Sequence, residues 1–421
     1  MSEWVESPLS QLATFQKGRK VDTSPFGGDG YAPYLGASGL EGGDDGFAAT
    51  RFAVIAKTTD TLMLWDGERS GLVGYGRQGV VASTVSKLSP SDKVEPKYLY
   101  YALSERFDWI QHRRTGTGVP HVPKDLGRLL KLRYPKQRTT QQRIATILTG
   151  IDIAIEKTET LIAKYQQIKA GLMHDLFTRG VLPNGQLRPP RERAPDLYQE
   201  TAIGWIPKEW TVRKLGSMAR IVSGVTLGSK ESASGGLEAP YLRVANVQDG
   251  YLDLTEIKTV RISRKELEQL RLQVGDVLMN EGGDFDKLGR GAVWSGEIED
   301  CVHQNHVFRV RTDSSSLLPD FLAFYSESSF GKKYFLISSK QSTNLASINS
   351  TQLNAYPIAL PSREEQQAII ERISAANGRI EQMKSEAGKL RNQKSGLMHD
   401  LLTGKVPVTI ENKITTTEAV A

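Results

Sequence analysis

The feature that most constrains this chain is an internal duplication of two long segments with a helical pattern. Residues 141–181 align without gaps on residues 366–406, at an offset of 225, and 15 of the 41 aligned positions are identical. The identities include the block Gly-Leu-Met-His-Asp-Leu, which ends at Leu176 in the first copy and at Leu401 in the second. Self-similarity over so long a period indicates a repeated structural unit. The chain of 421 residues is therefore one half-unit used twice.

Both copies carry the apolar pattern of a long helix. Apolar residues recur alternately four and three residues apart, which is the heptad pattern of a coiled coil. The predicted helical segments are residues 136–180 and 362–405; within each, a helix of roughly 35–40 residues is expected, hence ~50–60 Å at 1.5 Å per residue. We expect the two helices to pair with each other, and an antiparallel pairing gives the molecule pseudo-two-fold symmetry. The predicted seam consists of Ile144, Leu148, Ile151, Ile155, Ile162, Leu172, Ile369, Ile373, Ile380, Met383, Leu390 and Leu397.

Each predicted helix follows a globular segment, and the two segments share landmarks. Trp4 resembles Trp210 in its position, and Asp60-Thr-Leu-Met63 resembles Asp276-Val-Leu-Met279. Short alternating strands, glycine turns and a few short helices are typical of an α+β fold. The predicted segments are a first globular domain at 1–135, a linker at 181–200, a second globular domain at 201–361 and a disordered tail at 406–421.

Composition restricts the class of protein. The 54 Lys and Arg residues exceed the 48 Asp and Glu residues by 6, which suits an anionic partner without identifying one. The single cysteine, Cys301, excludes an internal disulfide and a multi-cysteine metal site. No apolar run approaches the ~18 residues of a membrane span, and the first residues do not resemble a signal peptide. We therefore expect a cytoplasmic protein that does not enter membranes.

The sequence lacks the motifs of several kinds of bond chemistry. The glycines at 224 and 228 do not have the spacing of a phosphate-binding P-loop. The dinucleotide fingerprint and the Asn/Asp-Pro-Pro-aromatic motif of adenine methylation are also absent from the sequence. His303 and His306 lie three residues apart in a strand-like run, but a zinc site there lacks further ligands. We expect no catalytic residue, no metal and no cofactor on this chain.

Several strings occur in an order that is specific to one family. They are Thr115-Gly-Thr-Gly-Val-Pro-His-Val122, Gly204-Trp-Ile-Pro-Lys-Glu-Trp210, Tyr241-Leu-Arg-Val-Ala-Asn246, Gly275-Asp-Val-Leu-Met279 and the repeated Gly-Leu-Met-His-Asp-Leu block. Over residues 4–405, the chain resembles the specificity (S) subunit of a type I restriction–modification enzyme.

The resemblance implies a division of labour. The two globular segments would be target-recognition domains, each reading one half of a split double-stranded DNA sequence. The paired helices would fix the spacer and dock two methyltransferase (M) subunits, which bind S-adenosylmethionine. Two motor–endonuclease (R) subunits would use ATP and Mg²⁺, so this chain is expected to be non-catalytic. Two alternatives stay open, a coiled-coil interaction scaffold and an orphan recognition cassette without its own catalysis.

Direct reading of base edges requires long polar side chains on exposed loops, such as Arg or Lys for guanine and Asn or Gln for adenine. In the first globular segment the candidates are Lys17, Arg19, Lys20, Arg113, Arg114, Thr115, Thr117 and His121. In the second they are Ser223, Thr226, Arg243, Asn246, Gln304, Asn305, Lys340, Gln341, Thr343 and Asn344.

Overall fold

The computed structural model describes residues 3–116, 118–227, 236–283, 288–341 and 346–408. The chain divides into two compact units, one formed by residues 1–160 with 384–421 and the other by residues 161–383. The division falls inside both long helices. Each unit therefore contains one globular segment, the beginning of one long helix and the end of the other.

The first unit consists of short strands and a few short helices that precede the first long helix. Its strands are β1 (Trp4–Pro8), β2 (Ala13–Lys17), β3 (Thr23–Ser24), β4 (Tyr31–Leu35), β5 (Phe47–Ala49), β6 (Ile55–Ala56), β7 (Thr61–Leu64), β8 (Val73–Tyr75), β9 (Gly79–Val81), β10 (Val85–Pro90) and β11 (Lys131–Pro135). Its helices are α1 (Ala37–Leu40), α2 (Pro96–Ser104), α3 (Phe107–Gln111), α4 (Leu126–Leu129) and the first part of α5 (Arg138–Arg179).

The second unit repeats this plan. Its strands are β12 (Tyr198–Thr201), β13 (Gly204–Pro207), β14 (Thr211–Lys214), β15 (Ala219–Ser223), β16 (Leu237–Leu242), β17 (Lys258–Ile262), β18 (Val277–Asn280), β19 (Gly282–Gly283), β20 (Gly291–Val293), β21 (Val302–His303), β22 (Val307–Thr312), β23 (Lys340–Gln341), β24 (Ala346–Ser347) and β25 (Pro357–Leu360). Its helices are α6 (Arg264–Leu270), α7 (Pro319–Glu327), α8 (Ser329–Ser338), α9 (Ser350–Asn354) and the first part of α10 (Arg363–Thr403).

The sheets of the two units correspond strand by strand. A four-stranded antiparallel sheet has the order β2-β10-β7-β8 in the first unit and β15-β22-β18-β20 in the second. A parallel pair, β4 with β9, likewise has its counterpart in β16 with β21. In each unit the strand before the long helix pairs with an early strand of the globular segment: β11 pairs with β1, and β25 pairs with β14, which follows the β12–β13 pair. The long helices therefore leave the two globular segments at equivalent points.

The ends of the long helices complete the two globular cores. In the first unit, Ile144 and Leu148 near the start of α5 pack in one apolar cluster with Leu401 near the end of α10. In the second unit, Ile369 and Ile373 of α10 pack with Leu176 of α5 in the same way. The outer positions of the predicted seam thus pack on globular cores rather than only on the other helix. Of the remaining seam positions, Ile151, Ile380 and Met383 are buried, and Ile155, Ile162, Leu172, Leu390 and Leu397 are half-buried.

Ion pairs and ring contacts show the direction in which the two helices pass each other. In the first unit, Asp152 of α5 lies 2.7 Å from Lys394 of α10, and Glu159 accepts a hydrogen bond from Arg391. In the second unit, Tyr165 lies under the guanidinium of Arg379. Positions rise along α5 as they fall along α10, so the pairing is antiparallel. The predicted α+β fold with two related globular domains and an antiparallel helix pair is confirmed.

A buried glutamine fixes the start of each long helix. Gln141 is fully buried; its amide donates to the carbonyl oxygens of Pro135 (2.7 Å) and Lys93 (3.1 Å), and its oxygen accepts from the Glu95 N–H (2.7 Å). Gln366, at the same position of α10, donates to the carbonyl oxygens of Pro361 and Ser316 and accepts from the Leu318 N–H. The duplication is therefore preserved down to single hydrogen bonds. In the described part of the chain no helix is both long and apolar enough to cross a membrane.

Candidate nucleic-acid interface

One end of each four-stranded sheet gathers most of the polar candidates. In the first unit Lys17, the last residue of β2, lies opposite Ser86 of β10, and the end of β7 lies beside the start of β10. In the second unit Ser223 lies opposite Phe308 in the equivalent strands. We call these surfaces edge 1 (residues 17–20, 64–70, 82–86, 112–116 and 118–122) and edge 2 (residues 223–227, 280–283, 304–307, 340–341 and 346–347).

A glycine brings the first loop of each edge against the neighbouring backbone. A Cβ atom on Gly18 would collide with the carbonyl oxygens of Val81 and Ala82, and one on Gly224 would collide with the carbonyl oxygen of His303. Only glycine permits so close an approach of two backbones. The residues that follow each glycine are therefore held at the edge, and Arg19, Lys20 and Thr226 are exposed there.

Asp66 organises edge 1. Its carboxylate accepts from the Lys17 ammonium at 2.8 Å and lies 2.7 Å from Nδ1 of His121. His121 also forms isolated backbone bridges to Asp66 and to Thr115. The side chains of Lys17 and His121 stay about half exposed. The carboxylate thus holds two donors side by side on the surface, where they can face an anion or a base edge.

Two arginines are fixed in the loop that precedes this cluster. Arg114 donates to the carbonyl oxygens of Glu68 at 2.7 Å and Gln111 at 2.9 Å. The guanidinium of Arg113 lies 4.0 Å from the ring centre of Trp109. Both side chains are therefore oriented by backbone or aromatic contacts rather than by a carboxylate, which leaves their charge uncompensated by a direct ion pair among the described residues. Thr117, also a candidate, lies outside the described residues.

Edge 2 has the same backbone frame with different side chains. The Val122 N–H donates to the carbonyl oxygen of Trp65 at edge 1, and the Ile348 N–H donates to that of Glu281 at edge 2. Beside this point Glu281 lies 2.6 Å from Nδ1 of the exposed His306. The isolated bridges of edge 1 are replaced by a three-stranded ribbon with the order β19-β24-β23.

The other candidates of the second unit differ in their availability. Ser223 and Lys340 are exposed at edge 2, whereas Gln304 and Asn305 are half-buried in a turn fixed by Val225. Gln341 contributes its backbone to β23. Thr343 and Asn344 lie outside the described residues.

Arg243 and Asn246 have internal roles. Asn246 is buried; its oxygen accepts from the Arg243 N–H, and its amide donates to the carbonyl oxygens of Asp253 and Glu256. The Arg243 guanidinium donates to the same Glu256 carbonyl oxygen at 3.3 Å. Because the Asn246 amide is used inside the domain, it has no donor left for an adenine edge. We therefore do not include Asn246 in the proposed DNA-binding surface. Arg243 stabilises the same turn.

His303 is also internal. Its side chain is fully buried, and Nδ1 lies 2.6 Å from the carbonyl oxygen of Val307. Burial, helped by the nearby Arg309, lowers the pKa of His303 to about 4. Among the described residues no group of three or more His, Cys, Asp and Glu side chains is placed to hold a metal ion. The pair His303 and His306 therefore does not act as a unit, because one side chain points into the core and the other lies at the surface.

Sequence reasoning missed the two carboxylates that orient the edges. Asp66 and Glu281 each follow shortly after one of the two related strands that begin Asp60-Thr-Leu-Met and Asp276-Val-Leu-Met. An acidic residue within two positions of the end of a buried strand, at neighbouring positions in the two halves, was the available signal. The residue types expected at base edges are cations and amides, so this pattern does not include the carboxylates that position them.

Comparisons with known proteins match both halves of the chain. A family model described as the type I restriction modification DNA specificity domain matches residues 1–167 and again residues 207–388. The chain is 29% identical to the type I restriction enzyme MjaVIII specificity subunit of Methanocaldococcus jannaschii, over 96% of this chain and 93% of that protein.

Two solved structures share the fold. The S subunit of a type I restriction–modification system from M. genitalium has a TM-score of 0.56 at 16% identity and covers 95% of this chain and 96% of that one. A chain from a type I restriction–modification system studied for complex assembly and conformational transition has a TM-score of 0.57 at 14% identity, over 96% of this chain and 98% of that one. With two matched copies of the family model and the duplicated fold, the chain belongs to the family of type I restriction–modification specificity subunits.

Proposed function

We propose that edge 1 and edge 2 each read one half of a bipartite double-stranded DNA target. The observation that carries the proposal is that a polar edge recurs at the same end of equivalent sheets. In both units the globular segment that contains the edge is followed in the chain by an equivalent long helix. The frame of the edges is shared, but their side chains differ. This is the arrangement expected of two readers with one architecture and two different half-sequences.

The chemistry of each edge fits its task. Exposed Lys and Arg side chains supply contacts to phosphates, which fix position without carrying sequence information. Side chains with a fixed orientation, such as His121 held by Asp66 and His306 held by Glu281, offer hydrogen bonds in defined directions to base edges. The net charge of +6 is modest, so binding depends on these local groups and on phosphate contacts shared with partner subunits.

The remaining functions of the complex belong to other chains in this proposal. The antiparallel helices fix the distance between the half-sites and dock two methyltransferase subunits, which carry S-adenosylmethionine. Two motor–endonuclease subunits use ATP and Mg²⁺. This chain is non-catalytic and works in the cytoplasm, where the DNA is.

The test is to produce the full chain with its methyltransferase subunits and to map adenine methylation across the genome. We expect a motif of two short half-sequences separated by a fixed spacer. The double variant Lys17→Ala, Arg114→Ala should weaken methylation at this motif, because both cations lie at edge 1. Arg128→Ala is the matched control, since Arg128 is an exposed cation on α4, which packs against β1 and against residues Leu9–Gln11, ahead of the start of β2.

Two results would contradict the proposal. One is DNA binding and methylation without sequence preference, which is the behaviour of an interaction scaffold. The other is a motif and an affinity that stay unchanged when the side chains of both edges are removed.

A further inference from the structure

One large apolar side chain next to edge 1 has no place in the core. Phe52 is 76% exposed, and its backbone has a φ of 62°. This left-handed conformation is uncommon for residues other than glycine, asparagine and aspartate, and it is strained for a bulky side chain. Apart from glycines, Asp300 is the only other described residue with a positive φ. An exposed phenyl ring at a strained position contributes little to folding, so a functional reason is needed.

The strain arises in a tight turn. The Ala53 N–H donates to the carbonyl oxygen of Thr50 at 3.1 Å, which places Arg51 and Phe52 at the two central positions. The second of these positions usually carries glycine or asparagine when its φ is positive. Thr50 fastens the turn further, because its N–H and its hydroxyl both donate to the carbonyl oxygen of Gly30. The ring is thus presented outward by a turn that is held at its base.

The segment that carries the turn is anchored at the same places as the segment that carries the exposed cations of edge 1. The Ala49 N–H donates to the carbonyl oxygen of Asp22 at 2.9 Å, which ties one end of segment 49–54 to one end of segment 18–22. At the other end, the Val81 N–H donates to the carbonyl oxygen of Val54, and Gly18 packs against the carbonyl oxygen of Val81. The two segments therefore run between the same two anchor points.

The two segments carry one exposed aromatic ring and three cations. The guanidinium of Arg51 lies 5.0 Å from the centre of the Phe52 ring. Arg19 and Lys20 are exposed on the adjacent segment. An aromatic face among positive charges fits single bases and base steps, because the bases stack on the ring while the cations meet the phosphates on either side.

We propose that Phe52 is a stacking residue that inserts against a base or a base step of the DNA half-site read by the first unit. Arg51, Arg19 and Lys20 contact the flanking phosphates. The inference rests on the proposed function and adds to it a contact that does not use hydrogen bonds. The second unit has no such ring at the corresponding place, because the residues after β17 are Ser263, Arg264 and Lys265 at the start of α6. Stacking is therefore assigned to one half-site only.

The experiment uses the full chain assembled with its methyltransferase subunits and a duplex that carries the mapped target. Phe52→Ala and Phe52→Gly remove the ring, and Phe52→Trp keeps an aromatic face. Phe26→Ala and Phe26→Trp are matched controls, because Phe26 is 78% exposed in the same unit. The measured quantities are the Kd for the duplex, the thermal midpoint, and the tryptophan emission that the added indole contributes with and without DNA.

We expect Phe52→Ala and Phe52→Gly to weaken binding roughly five- to a hundredfold, the range found for removal of a stacked base contact. The glycine variant should be at least as stable as the wild type, because glycine relieves the strain at positive φ. Phe52→Trp should bind the duplex like the wild type, and DNA should quench the emission of the added indole. The two Phe26 variants should bind like the wild type, with no quenching at position 26.

Wild-type affinity in both Phe52→Ala and Phe52→Gly would overturn the inference, as would an indole at position 52 that DNA does not quench. Loss of subunit assembly at unchanged DNA affinity would also overturn it, by assigning Phe52 to a protein contact. A wild-type complex without sequence preference would contradict the proposed function itself. A normal wild-type target that is bound equally well by the Phe52 variants would contradict only the stacking.

Discussion

The two units differ most at the position just before the buried glutamine of each long helix. In the second unit this position is Glu365, which accepts from both arms of Arg188, from Nε1 of Trp210 at 3.0 Å and from the Val181 N–H at 2.7 Å. In the first unit it is Thr140, whose buried hydroxyl has no hydrogen-bond partner within the described part of the chain. The duplication thus repeats the arrangement of helices and strands but not the buried hydrogen-bond network at this position.

The difference has a simple cause in the order of the chain. The linker leads from the end of α5 into the second globular segment, and it supplies Arg188, which is only 4% exposed. A buried carboxylate is tolerable only where such a cation and further donors meet it. Position 140 of the first unit carries a neutral threonine, which needs no such cation.

The largest expected effect is on this buried network. Glu365→Ala removes the acceptor of Trp210 Nε1 and of the Val181 N–H, and it leaves the buried Arg188 only the exposed Glu209, 3.4 Å from its Nε, as an ion-pair partner. We expect a loss of about 3–5 kcal/mol in the free energy of unfolding of the second unit. Hydrogen exchange of the β22 amides in the full chain measures it. Thr140→Ala is the matched control and should change the exchange of the β10 amides little. Equal losses in both units would show that the two positions are equivalent after all.

The second effect depends on pH and concerns His303. The parallel strand pairs place His303 opposite Leu242 and Val81 opposite Leu35, so a histidine in one unit replaces a valine in the other. Since burial lowers the pKa of His303 to about 4, the unfolded chain takes up a proton below pH ~6.5 while the folded unit does not. The second unit should therefore lose up to about 3 kcal/mol as the pH falls from 6.5 to 4.

The variant His303→Val copies the first unit and should remove this contribution. The measurement is the pH dependence of β22 amide exchange in the wild type and in the variant. An unchanged slope in His303→Val would show that other groups cause the loss of stability at low pH.

The third prediction concerns a feature that the two units share. Gln141→Ala and Gln366→Ala each leave buried backbone groups without partners, and we expect about 1–3 kcal/mol of destabilisation in the unit concerned. The losses should be similar, because the two glutamines make equivalent hydrogen bonds. Urea unfolding of each variant, followed by hydrogen exchange, tests this. A clear difference between them would limit the symmetry to the backbone.

The smallest effect separates two lysines that occupy the same position in the duplicated helices. Lys169 pairs with Glu327 of α7, and both side chains are 16% exposed, whereas Lys394 pairs with Asp152 of α5 at a more exposed site. Lys394→Ala should cost about 1 kcal/mol or less, as exposed ion pairs do. Lys169→Ala should lower the free energy of unfolding more, because it leaves Glu327 unpaired at a less exposed site. Thermal unfolding at low and high salt compares the two, and a larger, salt-sensitive loss at Lys394 would reverse the ranking.

The sequence predicted the repeated frame well because the frame depends on local patterns. Heptads, the landmark tryptophans and the strand-ending prolines are periodic or duplicated, and each reports on its own neighbourhood. The internal use of the Asn246 amide was not predictable from the sequence, because only the folded positions of Asp253 and Glu256 reveal it. Asp66, Arg188 and Phe52 could not be assigned for the same reason, since their roles depend on partners far away in the chain or on a backbone angle.

The central claim is that each globular unit reads its own half of the DNA target. The most direct measurement is to replace residues 1–135 by a second copy of residues 207–361, to keep both long helices, and to map methylation by the complex. The account predicts a target whose two halves are the same half-sequence, with the spacer unchanged. A target that keeps its original first half, or one in which both halves become new, would contradict it.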